Sequence, residues 1–389
     1  MFNKMISTFS FPTRIVFGPG AIDHVAEGAR SFGMKHPLLV TDPGIIKTGL
    51  LERLTAPLNK AGLTWALFDR VENNPTEASV FPGVDIFHAK RCDGVIAMGG
   101  GSSLDAAKAI RLKATHPLPL EEYDDVKNGA ERISADLPPM VAIPTTSGTG
   151  SEVGRSSVIT LKSNARKTVI FSPHLVPSVA IEDPELTLGL PRHLTAATGM
   201  DAMTHNLEAY LSVGYHPMCD SIALAGVALV SKHLRTAVYD GSNLEARTEM
   251  MAASMMGAVA FQKGLGTVHS LAHPLSTVAG LHHGLTNAIL LPHVMRFNMS
   301  VVLDRLVDLA AALGMDTRSM SPDHAAEAAI AAVEKLNADI GIPRRLGEVR
   351  VTPEMIPVMV PKAMEDGCHR CNPRPTTAQD MEDLYRAAL

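Results

Sequence analysis

Cysteine is scarce in this sequence, with 4 residues in a chain of 389. That number builds no disulfide framework in a chain of this size, and it fits a reducing compartment. Basic blocks are missing. Lys and Arg total 35 against 40 Asp and Glu, for a formal net charge of −5 and a sequence pI of about 6.3. A sequence-independent nucleic-acid binder needs a basic footprint, so nucleic acid is excluded as a partner. Long hydrophobic runs are missing as well. The longest, residues 222–230, is broken by Gly226 and falls short of the roughly 20 residues a membrane span requires. Residues 1–9 carry one Lys and no sustained apolar run, so no secretory signal is expected. No internal repeat and no low-complexity tail is visible.

What the sequence does hold is apolar residue in quantity. It is 46% hydrophobic and 19% charged, with a mean hydropathy of +0.11. Such a chain builds a large core and is not disordered. At roughly 100–200 residues per domain, its length suggests two or three domains. The expectation is a soluble, cytoplasmic, globular protein, and its 16 histidines give a first hint of metal chemistry.

The first half alternates short apolar runs with amphipathic stretches. Residues 37–42, 64–69, 94–98 and 140–143 read as buried strands, and 45–61, 78–92 and 103–113 as helices. Continuous apolar strands alternating with helices predict a parallel sheet covered on both faces. Residues 157–160, 167–171 and 178–181 read as shorter strands. After Asp183-Pro184 the pattern turns helical, over 195–211, 221–236, 244–259 and 325–338. With Pro184 and Pro191 as punctuation, the expected division is an α/β domain over residues 1–186 and an all-α domain over 187–389.

Gly99-Gly100-Gly101-Ser102-Ser103-Leu104-Asp105 sits between an apolar strand and a helix. Two readings are open. Glycines allow close backbone approach, and the free amides of a helix start favour an anion such as a dinucleotide pyrophosphate. Alternatively, the run is a tight turn that uses Gly for its dihedrals. It is not the strict G-x-G-x-x-G pattern. Asp42 ends the first strand, where a carboxylate can accept from a ribose diol and repel a 2′-phosphate, favouring NAD over NADP. It equally suits a turn before Pro43-Gly44. Residues 145–152, rich in hydroxyls and glycine, can hold phosphate or a nicotinamide amide, or cap the next segment.

Asp201 and His205 are spaced i, i+4 in a helical pattern, as are His269 and His273, and His283 follows ten residues on. Their neighbours, including Ala197, Met200, Ala202, Leu271 and Ala272, are small or apolar. Polar groups in such surroundings are costly to bury unless paired or coordinated. One carboxylate and three imidazoles suit Fe²⁺ or Zn²⁺. Each histidine alone reads more readily as a core or surface group than as a ligand; the paired spacing shifts that balance.

Motifs along nearly the whole chain carry a resemblance. They are Arg14-Ile15-Val16-Phe17-Gly18-Pro19-Gly20, the run Gly99-Gly100-Gly101-Ser102, and Pro144-Thr145-Thr146-Ser147-Gly148-Thr149-Gly150-Ser151-Glu152. Further on come Gly199-Met200-Asp201-Ala202-Met203-Thr204-His205, Val268-His269-Ser270-Leu271-Ala272-His273-Pro274, His283-Gly284 and Asn372-Pro373-Arg374-Pro375. The chain resembles the group III, iron-dependent alcohol dehydrogenases. The resemblance implies the dehydroquinate synthase-like fold: a nucleotide-binding α/β domain, a helical metal domain, and an active site in the cleft between them. It implies Fe²⁺, with Zn²⁺ as the alternative, on Asp201, His205, His269 and His283. His273 falls near the substrate and off the metal. NAD is the implied cofactor, with its pyrophosphate at Gly99, Gly100, Gly101 and Ser102. Thr145 and Thr146 fall on the adenosine or nicotinamide side, Lys167 near the cofactor ribose, and Asp42 where NAD-preferring members carry Asp. Phe261 falls near the substrate channel, and family members are often homodimers or larger assemblies. One local departure is the extra imidazole of His282, although the His-Gly step favours His283 as the ligand.

The implied reaction is reversible hydride transfer between a small alcohol and NAD⁺, with the metal as a Lewis acid and His273 with the ribose hydroxyls carrying the proton. Small apolar surroundings suggest a short primary alcohol, a diol or a small hydroxy acid. The competing reading is a dehydroquinate synthase-like or glycerol dehydrogenase-like enzyme using NAD and Zn²⁺. A synthase of that kind handles a polyanion and needs several Lys or Arg, whereas Lys263 is the main basic residue near the histidines here. A non-redox metal-binding protein is a third reading, and a hydrolase lacks its nucleophile elbow. Cys368 and Cys371 form a lone C-x-x-C read as packing. Met250, Met251, Met255 and Met256 read as helix core, Glu327 and Glu334 as a solvated face, and His293 as structural.

Overall fold

A computed structural model describes residues 8–10, 13–163 and 166–389. These fall into two compact units. One holds the described residues of 12–146 and 150–190, the other those of 1–11, 147–149 and 191–389.

The first unit is built on a six-stranded sheet of order β1-β8-β5-β4-β2-β3. Its strands are β1 (Arg14–Phe17), β2 (Leu38–Val40), β3 (Ala66–Phe68), β4 (Val95–Gly99), β5 (Met140–Pro144) and β8 (Val179–Glu182). Every pairing in it is parallel. Helices α1 (Val25–Ser31), α2 (Pro43–Thr48), α3 (Leu50–Lys60), α4 (Glu77–Ala89) and α5 (Gly101–Thr115) connect the strands. Successive side chains of a strand point to opposite faces, and the core divides accordingly. Leu38, Val40, Val95, Ala97, Met140 and Ala142 join Leu104 and Ile110 of α5 in one cluster. Leu39, Ile96, Met98, Val141 and Ile143 join Val25 and Leu54 in another. Continuous apolar strands are thus needed to feed two cores at once.

Three details differ from the sequence reading. The stretch 45–61 is two helices, because Gly49 adopts φ +77° and ends α2 before α3 begins. The short strands 157–160 and 167–171 are β6 (Ser156–Thr160) and β7 (Lys167–Phe171), an antiparallel pair apart from the main sheet. The main sheet also holds β1, pairing with β8 at the sheet edge, which the alternating pattern did not reveal.

The second unit contains no strand among the described residues. Its helices are α6 (Arg192–Leu211), α7 (Pro217–Tyr239), α8 (Leu244–Ala260), α9 (Thr267–Val278), α10 (His283–Asn298), α11 (Leu303–Ala312), α12 (Pro322–Asp339), α13 (Ile356–Glu365) and α14 (Ala378–Ala388). Helix α6 is buried continuously from Thr195 to Leu211. Met200, Met203 and Leu207 of α6 share one core with Val227, Val230 and Leu234 of α7 and with Met250 and Ala253 of α8. A helix buried on all sides must satisfy its polar residues internally. Asn206 donates through Nδ2 to the carbonyls of Ala202 and Ala253 at 2.8 and 2.9 Å. Met250 and Met251 are buried, whereas Met255 and Met256 are half-buried. Glu327 and Glu334 pair with Arg296 on an exposed face. No helix among the described residues is long and apolar enough to cross a membrane.

Candidate metal centre and nucleotide turn

In the helical unit, Asp201 and His205 leave α6 one turn apart on one face. His269 lies in the first turn of α9, and His283 is the first residue of α10. One donor atom from each of these four residues lies within 4.8 Å of the other three. Donors around one first-row ion, each about 2.0–2.2 Å from it, span at most roughly 4.4 Å. The observed set therefore closes on such an ion with side-chain shifts of a few tenths of an ångström. The approach depends on Gly284, where a Cβ would stand 2.2 Å from the Ala197 carbonyl oxygen. His282, its neighbour in the chain, is exposed and outside the cluster.

The donor set suits a cation. Asp201, His205 and His269 are buried. Asp201 lies 3.6 Å from His283 Nε2 and 3.9 Å from His205 Nε2, and among the described residues no Lys or Arg pairs with it. Burial pushes the His205 imidazole down to about 4, against the pull of Asp201. It is therefore neutral near pH 7, the form that ligates metals. Burial also opposes a charge on His269, yet the Glu208 contact and the nearby carboxylates lift its pKa above the ordinary value.

A ring of further groups orients these side chains. The Gly148 carbonyl lies 3.2 Å from His205 Nδ1. Glu208 Oε2 lies 2.5 Å from His269 Nδ1. Asn287 donates through Nδ2 to Asp201 Oδ1 at 2.7 Å. His273 stays out of the four-donor set. It stacks on His283 at 5.1 Å, and its Nδ1 lies 2.7 Å from Asp366 Oδ2. Asp366 Oδ1 also accepts from Ser270 Oγ at 2.7 Å and from the Cys368 amide at 2.9 Å. Burial opposes ionisation of Asp366, but His273 and these donors hold its carboxyl well below the usual range. The Phe261 ring meets the His205 ring edge-on at 5.1 Å. Lys263 is committed to Asp220 at 2.5 Å and to the Tyr210 carbonyl at 2.8 Å. Cys368 and Cys371 form a short 3-10 turn, and burial pushes both thiols above their ordinary range.

Sequence reasoning missed Glu208, Asn287 and Asp366. Glu208 follows His205 by three residues, and Asn287 follows His283 by four, so helical spacing held a usable signal. Asp366 is 93 residues from His273 and carried none.

In the α/β unit, the chain moves outward from β2 to β3, then returns to lay β4 on the other side of β2. The carboxyl ends of β2 and β4 thus flank a topological switch point, where open parallel sheets bind ligands. Asp42 follows β2 and Gly99 ends β4. Asp42 Oδ1 accepts from the amides of Gly44 and Ile45, capping α2, while Oδ2 accepts from Ser103 Oγ at 2.9 Å. The turn reading of Asp42 is therefore realised in the fold. Gly99 has φ +151°, and a Cβ there would stand 2.5 Å from Ser103 Oγ and 2.9 Å from Asp42 Oδ2. Gly100 is the N-cap of α5, with Gly101 and Ser102 in its first turn, where amides lack intrahelical partners. The Thr145 amide donates to the Gly99 carbonyl at 3.0 Å, and the Thr146 side chain is 3.5 Å from the Cβ position of Gly100. Lys167 opens β7 in the two-stranded sheet, outside the sheet that bears the glycine turn.

The fold thus sets a cluster able to hold a metal ion in the helical unit and a glycine turn at a topological switch point in the α/β unit, the class of arrangement that comparison with known proteins identifies. Residues 12–184 match the family model described as iron-containing alcohol dehydrogenase, and residues 195–389 match that of the Fe-containing alcohol dehydrogenase family, C-terminal. The chain is 42% identical over 386 residues to a 4-hydroxybutyrate dehydrogenase of Cupriavidus necator, covering 97% of this chain and 98% of that protein. It is 38% identical over 385 residues to an NAD-dependent methanol dehydrogenase of Bacillus methanolicus, covering 99% of this chain and 100% of that one. A crystal structure of a 1,3-propanediol oxidoreductase superposes with a TM-score of 0.95 at 41% identity, covering 98% of this chain and 100% of that chain. The protein belongs to the iron-containing alcohol dehydrogenase family.

Proposed function

We propose that this protein interconverts a short alcohol and its carbonyl compound, with NAD as hydride carrier and Fe²⁺ held by Asp201, His205, His269 and His283. The observation that carries the metal assignment is the convergence of those four donors. Zn²⁺ is the alternative ion for the same set. The glycine turn at Gly99, Gly100, Gly101 and Ser102 takes the pyrophosphate, with Thr145 and Thr146 beside it and Lys167 toward the ribose. Asp42 is the ribose acceptor. Its carboxylate disfavours a 2′-phosphate, so NAD is preferred over NADP. The functional division follows residues 1–186 and 187–389.

Bound by Asp201, His205, His269 and His283, the ion would supply Lewis-acid polarisation of the alcohol oxygen, and NAD at the glycine turn would supply the hydride acceptor. His273 takes the hydroxyl proton. Its Nδ1 is committed to Asp366, which leaves Nε2 to exchange that proton. Phe261, against His205, lines the substrate side. Small residues around the histidines favour a short primary alcohol, a diol or a small hydroxy acid. We place the enzyme in the cytoplasm as a homodimer or larger homo-oligomer.

The test is anaerobic purification, metal analysis, and a panel of alcohols, diols and hydroxy acids offered with NAD⁺ or NADP⁺. The expected result is bound iron, NADH formation with short alcohols, and a slower reaction with NADP⁺. Full turnover after complete removal of metal, or no reduction of NAD⁺ by any alcohol with iron bound, overturns the reading.

A further inference from the structure

Glu208 is a buried carboxylate beside the four-donor cluster, and neither of its oxygens is idle. Oε1 accepts from the Val268 amide at 2.7 Å, and Oε2 lies 2.5 Å from His269 Nδ1. The backbone around it is shaped to admit it. Gly266 precedes α9, and a Cβ there would stand 2.6 Å from Glu208 Oε1. Glu208 thus satisfies an orphan amide in the first turn of α9 while gripping the imidazole in the same turn.

From this geometry we infer that Glu208 is a positioning residue for the metal, fixing His269 in the tautomer that leaves Nε2 free to bind. The inference rests on the metal reading of the cluster. With Oε1 taken by the Val268 amide and Oε2 at 2.5 Å from His269 Nδ1, a carboxylate, which accepts, favours the tautomer with the proton on Nδ1 and turns Nε2 to the ion. Such outer carboxylates orient the ring and raise its basicity as a ligand.

Glutamine at this position has nearly the same shape and the opposite effect. It offers one acceptor oxygen and one donor amide. The Val268 N–H needs the oxygen, so the Gln amide faces His269 Nδ1. That nitrogen must then accept, and the proton moves to Nε2, the atom the ion requires. Alanine leaves Nδ1 free to adopt either tautomer. The expected order of metal affinity is wild type, then Glu208→Ala, then Glu208→Gln. A purely structural role gives the reverse order of the two variants, because Gln fills the space and Ala leaves a cavity.

The experiment loads chelator-stripped protein with Co²⁺ as the probe. Dissociation constants come from chelator competition, and the ligand field from the visible d–d absorption. Circular dichroism of each metal-free variant checks folding. The expected loss is about 10-fold for Glu208→Ala and about 100-fold for Glu208→Gln, the latter with altered d–d bands. Gly266→Ala, which displaces the carboxylate without removing it, is expected to weaken binding about 10-fold. Glu208→Gln binding as tightly as Glu208→Ala, or with wild-type spectrum, overturns the Glu208 assignment alone. If neither Glu208 variant folds, unchanged Co²⁺ affinity in Gly266→Ala overturns it. Wild-type protein that takes up Co²⁺ no better than His205→Ala overturns the metal reading and this inference with it.

Discussion

The two units carry their candidate sites in different materials. In the α/β unit the binding element is main chain: the end of β4, the amides of α5, and a glycine whose missing Cβ leaves room for Ser103 and Asp42. In the helical unit it is side chain: four donors from three helices, held by Glu208, Asn287 and the Gly148 carbonyl. A main-chain site is lost by adding an atom. A side-chain site is lost by removing one. The two are therefore breakable separately.

The largest expected effect is on the helical side. His269→Ala removes one of four donors and leaves Glu208 buried without its imidazole partner. Iron content and turnover are expected to fall below detection, with NADH affinity, read by fluorescence titration, within about twofold of wild type. Iron retention by the variant breaks the comparison. Gly99→Ala is the reciprocal change. Its Cβ would displace Ser103 and Asp42 at the turn, and the NADH affinity is expected to weaken by about tenfold, or about 1.4 kcal/mol. Iron content stays at the wild-type level. A variant that loses iron, or binds NADH as wild type does, ends the idea of two separable sites.

This division also explains what the amino-acid order revealed. Asp201, His205, His269 and His283 stood out because ionisable groups among small apolar residues need a reason to be there. His283 was separable from His282 by its glycine neighbour, and the structure gives the physical ground in the contact of Gly284 with Ala197. The glycine turn was ambiguous, because a tight turn and an anion cradle ask for the same residue. The parallel sheet was legible where its strands are apolar on both faces, as in β4 and β5. Strand β1 was not, since its burial is incomplete at the sheet edge. The α2–α3 break rests on the single dihedral of Gly49, which leaves apolar spacing intact. Asp366 reaches His273 only through the fold.

The smallest predicted effect comes from buried carboxylates, whose two settings have opposite signs. In the helical unit, Asp366 is held ionised by His273 and other donors. In the α/β unit, Glu152 and Glu182 are both buried, and each bears on the other's ionisation. Burial pushes Glu152 up to about 7, and burial with the Glu152 charge lifts Glu182 well above the usual carboxyl range. Unfolded, both ionise near the ordinary carboxyl value. Between that value and about pH 7, the folded protein thus holds protons that the unfolded chain has released. Stability contributed by this pair falls as pH rises through that window. Glu182→Gln removes the Glu182 carboxyl and its proton while keeping nearly the same shape. The Glu182 share of the slope then disappears, while burial still raises Glu152. One proton is worth at most about 1.4 kcal/mol per pH unit, or a few degrees in a unit of this size. Thermal unfolding of wild type and Glu182→Gln from pH 5 to pH 8 reads the difference. The variant is expected to gain on wild type as pH rises through that window, and parallel curves would show that folded Glu182 holds no proton that the unfolded chain releases.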